Sequence, residues 1–190
     1  MADLLKNSNK RYCLNILLLL IFVFNNGLTC RAQNLLSLAF TSPANKNAIH
    51  HDLKVCSLPF DFDQYSTVCN NNEKECNERY VSYQYPQDKD ILTSYGIEET
   101  PSKFFILPKI NNFQPILLGF TDSDVEGYYL KVSDNDKVIS SIQVANMDGE
   151  TIEDFLINEK YDIELYTRND AGEKRVLKKK YKIQANGIIK

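Results

Sequence analysis

The chain has 190 residues, 43% of them hydrophobic and 25% charged, with a formal net charge of −3. That balance excludes a disordered polyampholyte and a bundle of membrane helices, and the acidic charge argues against nucleic acid as a partner, because phosphate binding needs a positive field. The length suits one domain with one substantial core.

In chain order, the first element is an address. Lys6, Lys10 and Arg11 precede an apolar run, Ile16 to Phe24, followed by Asn25, Asn26, Gly27 and then Cys30-Arg31-Ala32. A positive segment, a short apolar segment and a small residue at the cut predict a secretory signal peptide over 1–32, with Gln33 as the mature N-terminus. The run is far below the roughly 20 residues a membrane-spanning helix needs, so no transmembrane anchor is expected after cleavage. Four basic residues and one acidic residue leave with the signal, which takes the formal charge from −3 to −6. The alternative address is a lipid anchor at Cys30, preceded by Gly27-Leu28-Thr29. The expected location is periplasmic or extracellular.

Residues 33–190 are read as a single exported β-rich domain. In its first part, Leu35 to Phe40 and Leu53 to Phe60 are candidate strands, and the acidic, asparagine-rich stretch from Asn70 to Glu78 is expected to be exposed. One helix is expected there, capped by Asp88 or Asp90, running through Ile91, Leu92 and Tyr95 and stopped by Gly96. A buried strand, Lys103 to Leu107, follows.

From Gln114 onward the period is two. Pro115–Thr121, Glu126–Ser133, Lys137–Ala145, Thr151–Ile157, Tyr161–Arg168 and Lys174–Ile183 predict a mainly β fold, an antiparallel meander folded as a sandwich or as an open, barrel-like sheet, with one or two short helices in the whole domain. The turns fall at Asp134-Asn135-Asp136, Met147-Asp148-Gly149 and Asn169-Asp170-Ala171-Gly172, with Asn186-Gly187 as a last reversal. The inward set predicted by alternation is Tyr128, Leu130 and Val132, then Val138, Ile142 and Val144, then Phe155 or Leu156, Ile163, Leu177, Tyr181 and Ile183. Lys178, Lys180 and Lys182 fall on the outer face, with Glu153, Asp162 and Glu164 on neighbouring strands available to offset them.

Three cysteines, Cys56, Cys69 and Cys76, remain after cleavage and cannot all pair. A Cys69–Cys76 bridge would clip the polar loop between them and leave Cys56 as a buried thiol among Leu53, Val55 and Leu58.

Candidate sites are few. His50 and His51 with the cysteines supply metal donors, but neighbouring histidines on a strand point to opposite faces and the cysteine spacing matches no structural zinc framework. Asp122, Asp124 and Glu126, with Asp134 and Asp136 further on, concentrate carboxylates, but without the glycine and closing glutamate of an EF-hand loop. These residues are weak metal candidates only. Nucleophile elbow and zincin motifs are absent, so no catalytic residue, cofactor or metal is assigned. The basic residues from Lys174 to Lys190 form a candidate docking patch for an acidic partner or an anionic membrane surface, set against the simpler reading of edge-strand lysines.

Tyr95-Gly96-Ile97-Glu98-Glu99-Thr100-Pro101, leading into Lys103 to Leu107, resembles a segment of thioredoxin-like proteins. That resemblance implies a parallel βα unit before Pro101, with no Cys-x-x-Cys to support redox chemistry. The alternative fold class is therefore an α+β, thioredoxin-like portion. Tyr128-Tyr129-Leu130-Lys131-Val132, Asp148-Gly149-Glu150, Asp154-Phe155-Leu156-Ile157, Tyr161 to Tyr166 and Tyr181-Lys182-Ile183 with Gly187 and Ile189 together resemble small uncharacterised secreted β-rich proteins of Gram-negative bacteria, over residues 114–190. The resemblance implies compartment and architecture, but no active residue. The expected function is a non-enzymatic binding protein of the envelope or the extracellular space, of inhibitor or immunity type, with a protein partner. The alternatives are a redox-inactive thioredoxin-like protein and a hydrolase without a recognisable motif.

Overall fold

The computed structural model describes residues 53–123, 125–148, 151–170 and 172–190. The signal peptide and its cut, Cys30, the strand expected at Leu35 to Phe40, His50, His51 and Asp124 lie outside the described residues. The period-two segments become strands β3 (Lys103–Ile106), β4 (Phe113–Asp122), β5 (Val125–Asp134), β6 (Lys137–Met147), β7 (Ile152–Ile157), β8 (Asp162–Arg168) and β9 (Val176–Lys182). Two short strands, β1 (Phe60–Asp61) and β2 (Tyr83–Gln84), precede them, with helices α1 (Phe62–Asn71), α2 (Glu73–Arg79) and α3 (Lys89–Ser94).

From β2 to β9 each strand pairs with the next in sequence, so the sheet is an open meander, and its ladders are antiparallel. The parallel βα unit required by a thioredoxin-like portion is not found among the described residues, and the mainly β reading stands.

The sheet divides at β7. This strand pairs with β6 only at Glu153 and Ile152, while Leu156 and Ile157, at its other end, pair with β1. Strand β6 thus leaves β7 after one short contact, and the two halves of the meander enclose a common core. Leu117, Tyr128, Leu130 and Val132 enter it from one half and Phe155, Ile157 and Ile163 from the other, all fully buried. Phe60 fills the centre, stacked on Phe155 at 5.6 Å and edge-on to Phe105 at 5.2 Å. Ring pairs of this kind add about 0.5–1.5 kcal/mol each beyond their buried area.

A second core lies on the opposite face of β3 and β4. There Ile91, Leu92 and Tyr95 of the α3 region, with Ile97, cover Phe104, Ile106, Ile116 and Leu118. Burial on both faces explains why β3 and the middle of β4 are uninterrupted apolar runs. Gly96 stops α3 as expected, at φ 70°, and a Cβ there would lie 2.0 Å from the Asp136 carbonyl oxygen in the β5–β6 turn. The turn and the helix end are held by Ser133, whose hydroxyl donates to the Tyr95 carbonyl at 2.7 Å.

Four expectations are corrected. Asn70 to Glu78 is exposed but helical, belonging to α1 and α2, so the described residues hold three helices where one or two short ones are expected. Asp61 caps α1 by accepting from the Asp63 amide, and Asn72 caps α2 by accepting from the Glu75 amide. Leu53 to Phe60 contributes only Phe60 to a strand, although the Cys56 amide donates to the Ile106 carbonyl. Val138 does not point into the first core. Between Ser133↔Val138 and Val132↔Ser140 the register shifts, which turns Ile139 onto the first core and Val138 onto the second. Leu177 is likewise turned outward, 46% exposed, because Leu165↔Lys179 and Tyr166↔Leu177 leave Lys178 as an extra residue. A bulge reverses the phase of everything beyond it, while Tyr181 and Ile183, on the other side, keep theirs.

Cys69 and Cys76 are bridged, joining α1 to α2. Cys56 is the free thiol, fully buried, and burial pushes its pKa up to about 12, against the pull of Arg79. A protonated, inaccessible thiol of this kind is a core residue, not a nucleophile.

Candidate functional site

Polar chemistry concentrates in three places among the described residues. The first lies under the N-terminus of α1. Asp154 of β7 is fully buried, 2.6 Å from Arg175 and 3.3 Å from Arg168, while Asp61 meets Arg175 at 3.0 Å and Asp63 meets Arg168 at 2.7 Å. Arg175 also stacks over the Tyr166 ring at 4.2 Å. Burial pushes the Asp154 carboxyl up, and the two guanidiniums pull against it. Each cation lies between carboxylates from different elements, so this network pins α1 to β7 and β8.

The second is Lys103, whose ammonium sits over the Tyr65 and Tyr128 rings at 5.2 and 5.6 Å and 3.3 Å from Glu126. The Tyr128 hydroxyl donates to the same carboxylate at 2.6 Å. Burial would lower the Lys103 pKa, but Tyr65 and Glu126 more than reverse this. A lysine held as ammonium is no general base or nucleophile, so this cluster also reads as structural.

The third is an open groove of about 540 Å³ on the outer face of β4, β5 and β6, beside the second core. The ladder builds it in rows. Phe120, Gly127 and Asn146 are cross-strand partners in one row, Tyr129 and Gln143 in the next, and Lys131 and Ser141 in the third. Phe120 and Tyr129 meet edge to face at 5.6 Å. Gly127 is the floor, where a Cβ would meet nothing closer than 3.8 Å. Glu99, from the chain after α3, forms the wall and is ion-paired with Lys131. Burial raises the Glu99 pKa, but the contacts with Lys131 and backbone amides bring it below the ordinary value. A smaller cavity of about 470 Å³, between Gly96, Glu98 and Val138, shares that ion pair.

The carboxylates singled out in the sequence do not converge. Asp122 lines the groove, whereas Glu126 faces the other side of the sheet, with Lys103 and Tyr128. Asp134 lies at the far end of β5, roughly 30 Å from Val125 at about 3.4 Å per residue. Among the described residues no group of three or more His, Cys, Asp or Glu side chains could hold a metal ion. The lysine patch is largely neutralised: Lys178 pairs with Glu153, Lys180 with Glu164 at 2.6 Å and Lys182 with Asp162 at 2.5 Å. Alternation sets Tyr129 and Lys131 opposite Tyr128, Leu130 and Val132, but it does not single out Phe120, Gly127 or Gln143. Only a paired three-strand register could have brought them together.

An open antiparallel meander with three helices and a polar-rimmed groove on a central face is thus the class of structure that the described residues adopt. No family model, curated protein sequence or solved structure matches it. No helix among the described residues is long and apolar enough to cross a membrane.

Proposed function

We propose that this is a non-enzymatic binding protein, exported to the envelope or the extracellular space, and that its partner seats in the β4–β5–β6 groove. The observation that carries this reading is the groove itself. Its volume lies within the roughly 300–1,000 Å³ range of binding sites, and its apolar floor with a few convergent polar groups is what such sites present. The export arm rests on the signal-like segment over 1–32. The non-enzymatic arm is supported by the full burial of the Cys56 thiol and by the pairing of Lys103 with Glu126, which leave neither side chain available as a nucleophile.

The test is affinity capture from the native envelope with residues 33–190, comparing the wild type with Gly127→Leu. That substitution fills the floor from a position where a Cβ meets only ordinary contacts. A species retained by the wild type and lost by the variant is expected. Identical retention by both would overturn the groove as the functional surface. Intact mass of the exported protein tests the cut at Gln33: acyl chains on Cys30, or a retained 1–32, would overturn soluble export.

A further inference from the structure

The geometry points to a neutral oligosaccharide as the ligand of this groove, an inference that rests on the binding-protein reading and narrows it to one ligand class. Five observations lead there. The floor is apolar: Gly127 contributes only backbone, and Phe120 and Tyr129 stand beside it with their rings at 90°. Such rings suit the C–H face of a pyranose, which is a flat apolar patch on an otherwise polar molecule.

The rim carries planar amide and carboxylate groups rather than a field of one sign. Asn146 and Gln143 each offer a donor and an acceptor, Ser141 a hydroxyl, and Asp122 an exposed acceptor. Adjacent sugar hydroxyls need this mixture, since each both donates and accepts. The cation of the groove is already matched: Lys131 is 13% exposed and bound to Glu99. An anionic ligand would have to displace that carboxylate, so a phosphate or an acidic peptide is disfavoured. An extended peptide is disfavoured for another reason. Strand β5, in the middle of the groove, is paired along both edges, and the long free edge belongs to β6, which meets β7 only at Asn146 and Met147, so a main-chain ladder could form at the margin of the groove but not across its floor. Finally, the second cavity shares Glu99 and Lys131 with the groove, so two open spaces border one ion pair, which suits a chain of rings better than a single enclosed one.

The experiment is an amide NMR titration of residues 33–190 with three tetrasaccharides, maltotetraose, cellotetraose and tetra-N-acetylchitotetraose, and with a lysine-rich hexapeptide as a fourth arm. The expected result is saturable shifts on β4, β5 and β6 with at least one sugar, at an affinity of about 0.1–10 mM, weakened about tenfold or more by Gly127→Leu. The variant's unperturbed spectrum elsewhere reports that it remains folded. Tyr129→Ala, which removes a ring without filling the floor, is expected to weaken binding as well. No saturable shift with any of the three sugars would overturn the assignment. Shifts by the peptide alone, abolished in Gly127→Leu, would overturn the sugar and leave the binding groove intact. Failure of both this titration and the capture comparison would remove the groove reading altogether.

Discussion

Two groups of ion pairs at the end of the meander are built from the same kinds of charge and differ in their exposure to solvent. Beneath α1, Asp154 is closed off from solvent between Arg168 and Arg175, whose side chains are 9% and 19% exposed. A few residues along β9, Lys178, Lys180 and Lys182 pair across to carboxylates while remaining about half exposed. The contacts have similar lengths. What separates them is the surroundings: a charge in water has an alternative partner everywhere, whereas a charge under a helix has only those supplied by the chain. The covered group therefore fixes where α1 sits, and the open group serves mainly to keep an edge strand charged and unsuited to pairing with another sheet.

The largest test of that contrast is Asp154→Ala, which removes the buried carboxylate that both guanidiniums share while leaving Arg168 with Asp63 and Arg175 with Asp61. We expect a loss of about 3–5 kcal/mol in denaturant unfolding, since taking one partner out of a buried charge network is strongly destabilising. A loss as small as that of an exposed lysine would show that water reaches the network. Ile163→Ala supplies the apolar reference for the same layer, with about 2–5 kcal/mol expected from the cavity left at a fully buried site. Replacing Cys69 and Cys76 together by Ser loosens α1, whose first turn supplies Asp61 and Asp63. In the chain-entropy picture a loop this short is worth about 2–3 kcal/mol. Mass spectrometry of the native protein should show that bridge, together with one thiol, Cys56, that reacts only after unfolding.

The smallest effect is expected for Lys180→Ala, within about 0.5 kcal/mol. Its signature is a titration instead. The hydrogen bonds from Lys180 and Tyr166 hold the Glu164 carboxyl below its ordinary value. Its folded pKa is depressed, so its contribution is present above the unfolded value near 4.3 and is lost as pH falls through the folded one. Lys180→Ala should move the Glu164 carboxyl resonance midpoint back toward that ordinary value and flatten this acid-side loss. An unchanged midpoint would mean that the pair does not form in solution.

The contrast was half legible beforehand. The lysine row and its three acidic offsets follow from alternation alone, because residues two apart on a strand share a face. The buried network does not, since Asp61, Asp154 and Arg175 are far apart in sequence and meet only where β1 occupies the stretch of β7 that β6 leaves free. The helices α1 and α2 escaped notice for a related reason. Asp, Asn, Ser and Thr are weak helix formers, and what holds Phe62 to Asn71 helical is the packing of Phe62 and Tyr65 on Phe155, Phe60 and Phe105, a tertiary contact that overrides propensity.

What this sequence determined by itself is local and periodic: the order of strands β3 to β9, the turn at Asn135, the helix stop at Gly96, and the bridge between two cysteines seven residues apart with a third left in an apolar run. Tertiary structure alone decided the rest. The bulges that turn Leu177 and Val138 away from the first core arise from how twisted strands accommodate one another, and a single added residue reverses a face without changing the composition of the strand. The groove belongs to the same category. Its floor is a glycine and its lining comes from three strands and the chain after α3, so no window of sequence contains it, and only the register of the folded sheet brings Phe120, Tyr129, Gln143 and Glu99 to one surface.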